Sequence, residues 1–169
     1  KSESPNAVLR QRCKFSVIHR PVATMPGVPS NFRKGIDLDI IRVARGGTYD
    51  DPGRAIGDQA AVSLRVVERQ PCLEAARYAF QLARRTGATV TSASKHTIQS
   101  ATDGLFKSVV DGVALEFDDV FHKVELFDAL LAKIVMYPDR FSVVLVLNEY
   151  GDFLSDMAFE EQRGADWSP

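Results

Sequence analysis

Cysteine is scarce in this 169-residue chain: there are 2, Cys13 and Cys72. They form no metal-ligand or redox spacing, which excludes a cysteine metal centre and a Cys-x-x-Cys redox centre. Isolated thiols of this kind point to a reducing compartment, the cytoplasm or, in a eukaryote, the mitochondrial matrix. An excess of one charge is also missing, because 21 Lys+Arg stand against 22 Asp+Glu for a formal net charge of -1. That balance removes the electrostatic case for nucleic acid or an anionic membrane as partner. No apolar run approaches the ~20 residues of a membrane span. The opening "KSESPN" is polar and holds no apolar signal-peptide region. Internal repeats and low-complexity tracts are absent as well. What remains is 45% hydrophobic and 25% charged, an ordinary globular composition. The length suits one domain, which would bury roughly 70% of its extended surface. The polar turn at "FEEQRGADWSP", straight after an apolar strand and helix start, suggests part of something larger.

Hydrophobic periodicity divides the chain into alternating elements. "SPNAVLRQRC" carries a helix start, with Ser4 as N-cap and Pro5 at the first helical position. "FSVIHRPV" predicts a strand ending at Pro21, and "TMPGVPSNFRKG" a loop. In "IDLDIIRV" the alternation of Ile36, Leu38 and Ile40 predicts a strand with one buried face. "ARGGTYDDPGRAIGD" reads as the most flexible stretch, and "AAVSLRVVER" as a strand with Val62, Leu64 and Val66 on one face. "CLEAARYAFQLARRTG" is the clearest helix, with a stripe of Leu73, Ala76, Phe80 and Ala83 and a stop at Gly87. Then come a strand "ATVTSASK", a helix "TDGLFKSVVDGVALEF", a strand "DVFHKVEL", a helix ending near Pro138, and the buried strand "FSVVLVL". Alternating strands and helices mark α/β architecture.

The polar residues gather at suggestive places. Asp152 and Asp156 in "NEYGDFLSDM" stand one helical turn apart at the mouth of a buried strand. Residues four apart share a helix face, so these carboxylates repel unless a cation or a basic group sits between them. They suit either a divalent cation, which wants clustered oxygens, or the positive end of a helix dipole. Asp128 opens another helix, where the dipole reading applies again. Arg10, Arg20 and Arg42, with Ser4 and Asn6, offer donors suited to a small polycarboxylate; singly, each arginine reads as a surface residue. Tyr49 lies in the Gly-rich loop and Lys95 at a strand end. Such a pair can shuttle protons beside a substrate, their pKa values lowered by a nearby cation; otherwise they are a packed tyrosine and a solvated lysine.

These residues together resemble the β-decarboxylating dehydrogenases that act on isocitrate, isopropylmalate, homoisocitrate and tartrate. "NEYGDFLSDM" resembles that family's N-x-x-G-D-[IL]-x-S-D metal motif, and "SASKHTIQSATDGLF" its lysine segment. "SPNAVLRQ", "HRPVATMPGVPS" and "DLDIIR" follow its substrate-binding half in order. The resemblance implies Asp152 and Asp156 as Mg²⁺ or Mn²⁺ ligands, with Asp128 donated across a homodimer. It implies Ser4, Asn6, Arg10, Arg20 and Arg42 as contacts to the substrate carboxylates, and Tyr49 and Lys95 as catalytic proton donor and base or relay. Thr97, in the place of an amide near the nicotinamide of NAD or NADP, is the implied cofactor contact. The S-x-N-x-x-x-R arrangement of Ser4, Asn6 and Arg10 resembles isocitrate dehydrogenases, whose third carboxylate suits a hydroxyl and an amide. An isocitrate dehydrogenase-like oxidoreductase follows, forming 2-oxoglutarate, with a catalytically silent dimeric relative as the alternative.

The implied fold is α/β, the small dimer-forming domain of that family with part of the large one. Residues 1–141 would form the substrate and dimerisation domain, with a clasp-like segment about 50–70. Residues 142–158 would lead as strand and helix into the larger domain, and 159–169 form a tail. Two departures stand out: Val43 and Ala44 replace an acid and an amide ahead of Tyr49, and Lys95-His96-Thr97 replaces K-x-N.

Overall fold

A computed structural model of the chain describes residues 5–27, 32 and 34–163. Ser4 lies outside the described residues, as do the side chains of residues 6, 7, 10, 11 and 159–163. The order of elements is α1 (Pro5–Cys13), β1 (Val17–Ala23), β2 (Asp37–Val43), β3 (Arg54–Ile56), β4 (Ala60–Val62), α2 (Arg69–Thr86), β5 (Val90–Ser94), α3 (Thr102–Ala114), β6 (His122–Leu126), α4 (Phe127–Met136), a short 3₁₀ turn (Pro138–Arg140), β7 (Val143–Val146) and α5 (Asn148–Arg163).

Five strands form one sheet in the order β1-β2-β7-β5-β6. The four strands β2, β7, β5 and β6 run parallel, and β1 pairs antiparallel with β2 at the edge. Residues 142–158 thus supply the central strand of this sheet and the helix that packs on its β1–β2 side. Helices cover both faces. On one, Ile41, Val43, Val90, Val143 and Leu145 pack with Ala76, Phe80 and Ala83 of α2 and Phe106, Val110 and Val113 of α3. On the other, Leu38, Ile40, Val144 and Val146 pack with Leu130 and Ile134 of α4 and Leu154 and Ala158 of α5. Two-sided cover explains why β7 is a continuous apolar run rather than an alternating one.

Three local expectations change. β1 continues through Pro21 to Ala23 instead of stopping there. An edge strand tolerates a residue without an N–H, and β1 has only β2 as neighbour. β2 buries both faces, not one, because α2 lies over Ile41 and Val43 while α4 and α5 lie over Leu38 and Ile40. Beyond Val62 the expected strand gives way to irregular chain on which Leu64 and Val66 are exposed. The glycine-rich stretch before it holds β3, so that β3 and β4 form a separate two-stranded hairpin. Gly47 and Val66 bridge antiparallel at the root of that arm, with Gly47 N–H donating to Val66 O at 2.6 Å and Val66 N–H returning at 3.2 Å.

Candidate active site

Four parallel strands bring their carboxyl ends to one edge of the sheet, where α/β proteins place ligands. Arg42 is at the end of β2, Asn148 to Asp156 follow β7, Lys95 follows β5 and Asp128 follows β6. The chain order of these residues is scrambled, but the topology makes them neighbours along one rim.

Arg42 is 2% exposed, so its charge must be met by partners inside the protein. Its Nε donates to Asn148 Oδ1 at 2.8 Å, and Asn148 Nδ2 donates to Gly46 O at 2.8 Å. Arg42 Nη1 donates to Asp152 Oδ1, and the guanidinium carbon lies 5.4 Å from the centre of the Tyr49 ring. A Cβ on Gly151 would fall 2.6 Å from both Cβ and Cγ of Arg42. Gly151 is therefore what lets the first turn of α5 lie directly against the arginine.

Asp152 is the hub of the cluster. Tyr49 Oη donates to its Oδ2 at 2.9 Å, and Arg20 Nη2 lies 3.7 Å from its Oδ1. Arg20 Nη1 lies 3.9 Å from Asp156 Oδ1 and also donates to Ser155 Oγ, which donates in turn to Gly151 O at 2.7 Å. A basic group thus sits between the two aspartates: the guanidinium of Arg20. Burial would raise the Asp152 carboxyl, but the Tyr49 hydroxyl and the charges of Arg42 and Arg20 outweigh it and hold the pKa below the usual range. Tyr49 is shifted the other way, upward, by desolvation of its hydroxyl and by its donation to Asp152. The lowered phenol expected beside a cation is not the state of this chain by itself.

Lys95 and Asp128 form their own pair, Lys95 Nζ donating to Asp128 Oδ1 at 3.0 Å. That hydrogen bond lowers the Asp128 pKa. Thr97 is exposed in the turn following Lys95. Among the described residues no group of three or more His, Cys, Asp or Glu side chains is placed to hold a metal ion. Asp128 of one chain accordingly does not join Asp152 and Asp156 of the same chain. Asn6 and Arg10 lie on α1, and nothing further is described of their side chains.

Sequence reasoning missed a second cluster behind this rim. Asp103, fully buried, accepts from Arg65 Nη1 at 2.6 Å, from the Lys95 backbone N–H at 2.6 Å and from Tyr150 Oη at 2.9 Å. Arg65 Nε donates to Glu149 Oε1, and Arg65 Nη1 reaches Thr102 Oγ1 at 2.8 Å. Burial would lower the Arg65 pKa, but its bonds to Glu149 and Asp103 raise it on balance. The signal available was an acid, Glu149, two residues after the apolar run that ends at Leu147.

Known proteins are similar to this chain in sequence and fold. A family model described as isocitrate/isopropylmalate dehydrogenase matches residues 1–161. The 3-isopropylmalate/3-methylmalate dehydrogenase of Methanocaldococcus jannaschii is 34% identical over 155 residues, covering 89% of this chain and 46% of that protein. The mitochondrial NAD isocitrate dehydrogenase catalytic subunit 6 of Arabidopsis thaliana is 30% identical over 155 residues, covering 91% of this chain and 41% of its own length. In three dimensions, the isocitrate dehydrogenase from Methylococcus capsulatus matches with a TM-score of 0.86 at 30% identity, over 97% of this chain and 50% of that one. The chain spans less than half the length of these curated relatives.

Proposed function

Because the chain belongs to the isocitrate/isopropylmalate dehydrogenase family, we propose that it carries the substrate-binding half of an enzyme that oxidatively decarboxylates a 2-hydroxy acid, isocitrate in the first instance. The observation that carries this reading is the rim cluster of Arg20, Arg42, Tyr49, Asp152 and Asp156 at the carboxyl ends of the parallel strands. Two guanidinium groups converge there on carboxylates, as a polycarboxylate substrate requires. Asp152 and Asp156 also fit a divalent cation: both are hard oxygen donors one turn apart, and the group between them is already a cation. Asp128 of a second copy would complete the set.

In this reading Arg20 and Arg42 hold substrate carboxylates, and the Asn148 hydrogen bond fixes the plane of Arg42 before substrate arrives. Lys95 takes up the proton released from the substrate hydroxyl, and Tyr49 returns one to the carbon that loses carbon dioxide. Thr97 faces the nicotinamide. A divalent cation held by Asp152 and Asp156 would supply Lewis acidity, and NAD or NADP would supply the hydride acceptor. Two chains contribute to each site, with Lys95 and Asp128 reaching the partner. The exposed Ile56, Leu64 and Val66 of the arm form the intersubunit clasp, an assembly that also covers free strand edges. Isocitrate leads over isopropylmalate because Ser4 and Asn6 bring a hydroxyl and an amide rather than an apolar surface. One observation favours a second reading, a catalytically silent relative that retains binding: Val43 and Ala44 are apolar and buried, ahead of Tyr49, where the family pattern has an acid and an amide.

The experiment is calorimetric titration of Mn²⁺, with and without isocitrate, into the wild-type chain and Asp152→Asn. The wild type binds Mn²⁺ more tightly with isocitrate present, and Asp152→Asn weakens binding by about tenfold or more, since it removes a charged oxygen ligand. Equal affinity in both proteins would refute the site.

A further inference from the structure

We propose that Arg65 is a positioning residue that holds, through Asp103 and Glu149, the Lys95 backbone and the first turn of α5 in one frame. The inference rests on the reading that Lys95 reaches the partner's site while Asp152 serves the site of its own chain, so that the frame ties the two sites of a dimer, but its test does not depend on the activity of either.

Lys95 and Asp152 lie on separate connections, after β5 and after β7, and hydrogen bonding within the sheet stops short of both. Beyond the sheet, Arg65 joins the two by charge. Its Nη1 donates at 2.6 Å to Asp103, whose other oxygen accepts the Lys95 N–H at 2.6 Å. Its Nε donates to Glu149, the second residue of α5 and three before Asp152. Tyr150, one residue further, closes the circuit by donating to Asp103 at 2.9 Å, with its ring centre 5.5 Å from the Arg65 guanidinium carbon. Asp103 is fully buried and Glu149 nearly so. Arg65 is the cation paired with both.

Two buried carboxylates sharing one guanidinium form a strict arrangement. Without Arg65 they repel and each lacks a counter-charge, so the turn at Lys95 and the start of α5 are driven apart. The planar fork of arginine reaches both acids at once, which the point charge of lysine cannot do equally well. Glu149 is also held in place from behind. A Cβ on Gly47 would lie 2.3 Å from Glu149 Oε2, and Gly47 has φ +79°. Since Gly47 bridges to Val66, the residue after Arg65, the root of the β3–β4 arm is built onto the same frame. Arg65 therefore adds a charged coupling between the position of the arm and the geometry of the rim, beside the Asn148 bond to Gly46 O.

The test is amide NMR with hydrogen exchange on the 169-residue chain, comparing wild type with Arg65→Met, Arg65→Lys and Glu149→Gln. In Arg65→Met the resonances of Lys95 and of residues 148–151 shift together. Exchange of the Lys95 amide rises about tenfold or more, the size expected when a hydrogen bond to a charged acceptor is weakened. Arg65→Lys restores part of both shifts. Glu149→Gln shifts residues 148–151 and leaves the Lys95 amide bound to Asp103. Should Arg65→Met fail to fold, Arg65→Lys decides: partial shifts at both places support the frame. Wild-type resonances at both places in a folded variant, or movement at Lys95 with none in α5, overturn it. A purely stabilising role would lower the melting temperature and leave these resonances where they were. Loss of Mn²⁺ binding by the wild type would count against the proposed function alone, since the resonances are read without ligand.

Discussion

Gly151 offers a direct test of how tightly α5 is built onto Arg42. In an unencumbered helix, Gly→Ala stabilises by about 1 kcal/mol, because alanine has less backbone freedom to lose. Gly112 on α3 is such a position, since a Cβ there meets nothing within 4 Å. At Gly151 the new Cβ lies 2.6, 2.6 and 2.8 Å from Cβ, Cγ and Cδ of Arg42. Arg42 is 2% exposed, so neither residue can yield without cost. Overpacking of this kind costs about 1–3 kcal/mol. Displacing Arg42 also strains its 2.8 Å bond to Asn148, and a hydrogen bond from a charged group is worth roughly 1.5–3 kcal/mol. Offset by the helix gain, the expected net loss for Gly151→Ala is about 2–3 kcal/mol, against a gain of about 1 kcal/mol for Gly112→Ala. The two substitutions are chemically identical and should differ by about 3–4 kcal/mol, with opposite signs. Urea denaturation with the m-value held common reads both. If Gly151→Ala is as stable as the wild type, the close seat of Arg42 on α5 is wrong, and with it the account of the rim.

Two further outcomes follow. Burial, with Lys107 nearby, lowers the His122 pKa below its ordinary 6.5, against the opposing effect of Asp111; its Nε2 lies 2.9 Å from Ser92 Oγ and its ring centre 5.4 Å from that of Phe80. A depressed histidine favours the neutral form in the folded state, so stability is full above about pH 6.5 and falls as pH drops from there toward the folded pKa; His122→Gln should flatten that part of a pH–stability curve, and an unchanged slope would refute it. Sedimentation velocity at micromolar concentration should show a dimer, which Leu64→Asp and Val66→Asp together disperse; a folded wild-type monomer would remove the shared-site reading.

The sheet and its helices were legible because each carries a local period. The stripe of α2, the stop at Gly87 and the apolar run of β7 are short-range signals, and they reappear where expected. β2 was half read: Leu38 and Ile40 announced one face, but only the arrival of α2 over Ile41 and Val43 makes the other face core. Leu64 and Val66 show the converse, since alternation alone does not say what will cover a strand, and both stay exposed among the described residues. At the site, the spacing of Asp152 and Asp156 raised the question of a cation, and Arg20 proved to be the group between them. That pairing joins residues more than 130 positions apart and has no local signature. Arg65, Asp103 and Glu149 were unreadable for the same reason, being separated by 38 and 84 positions along their hydrogen bonds.

The place of β7 in the sheet sets the order in which the chain can fold. β2 and β5 never touch as strands; each pairs with β7, which comes last among the strands. During synthesis the β1–β2 pair and the β5–β6 pair can each form early, but they remain two unjoined halves. Both expose the edge that β7 will occupy. Only when residues 143–146 leave the ribosome can the halves be zipped into one sheet, and α5 with its aspartates follows at once. The rim therefore cannot exist before the sheet is closed, and any pause in translation before β7 leaves two sticky strand edges waiting.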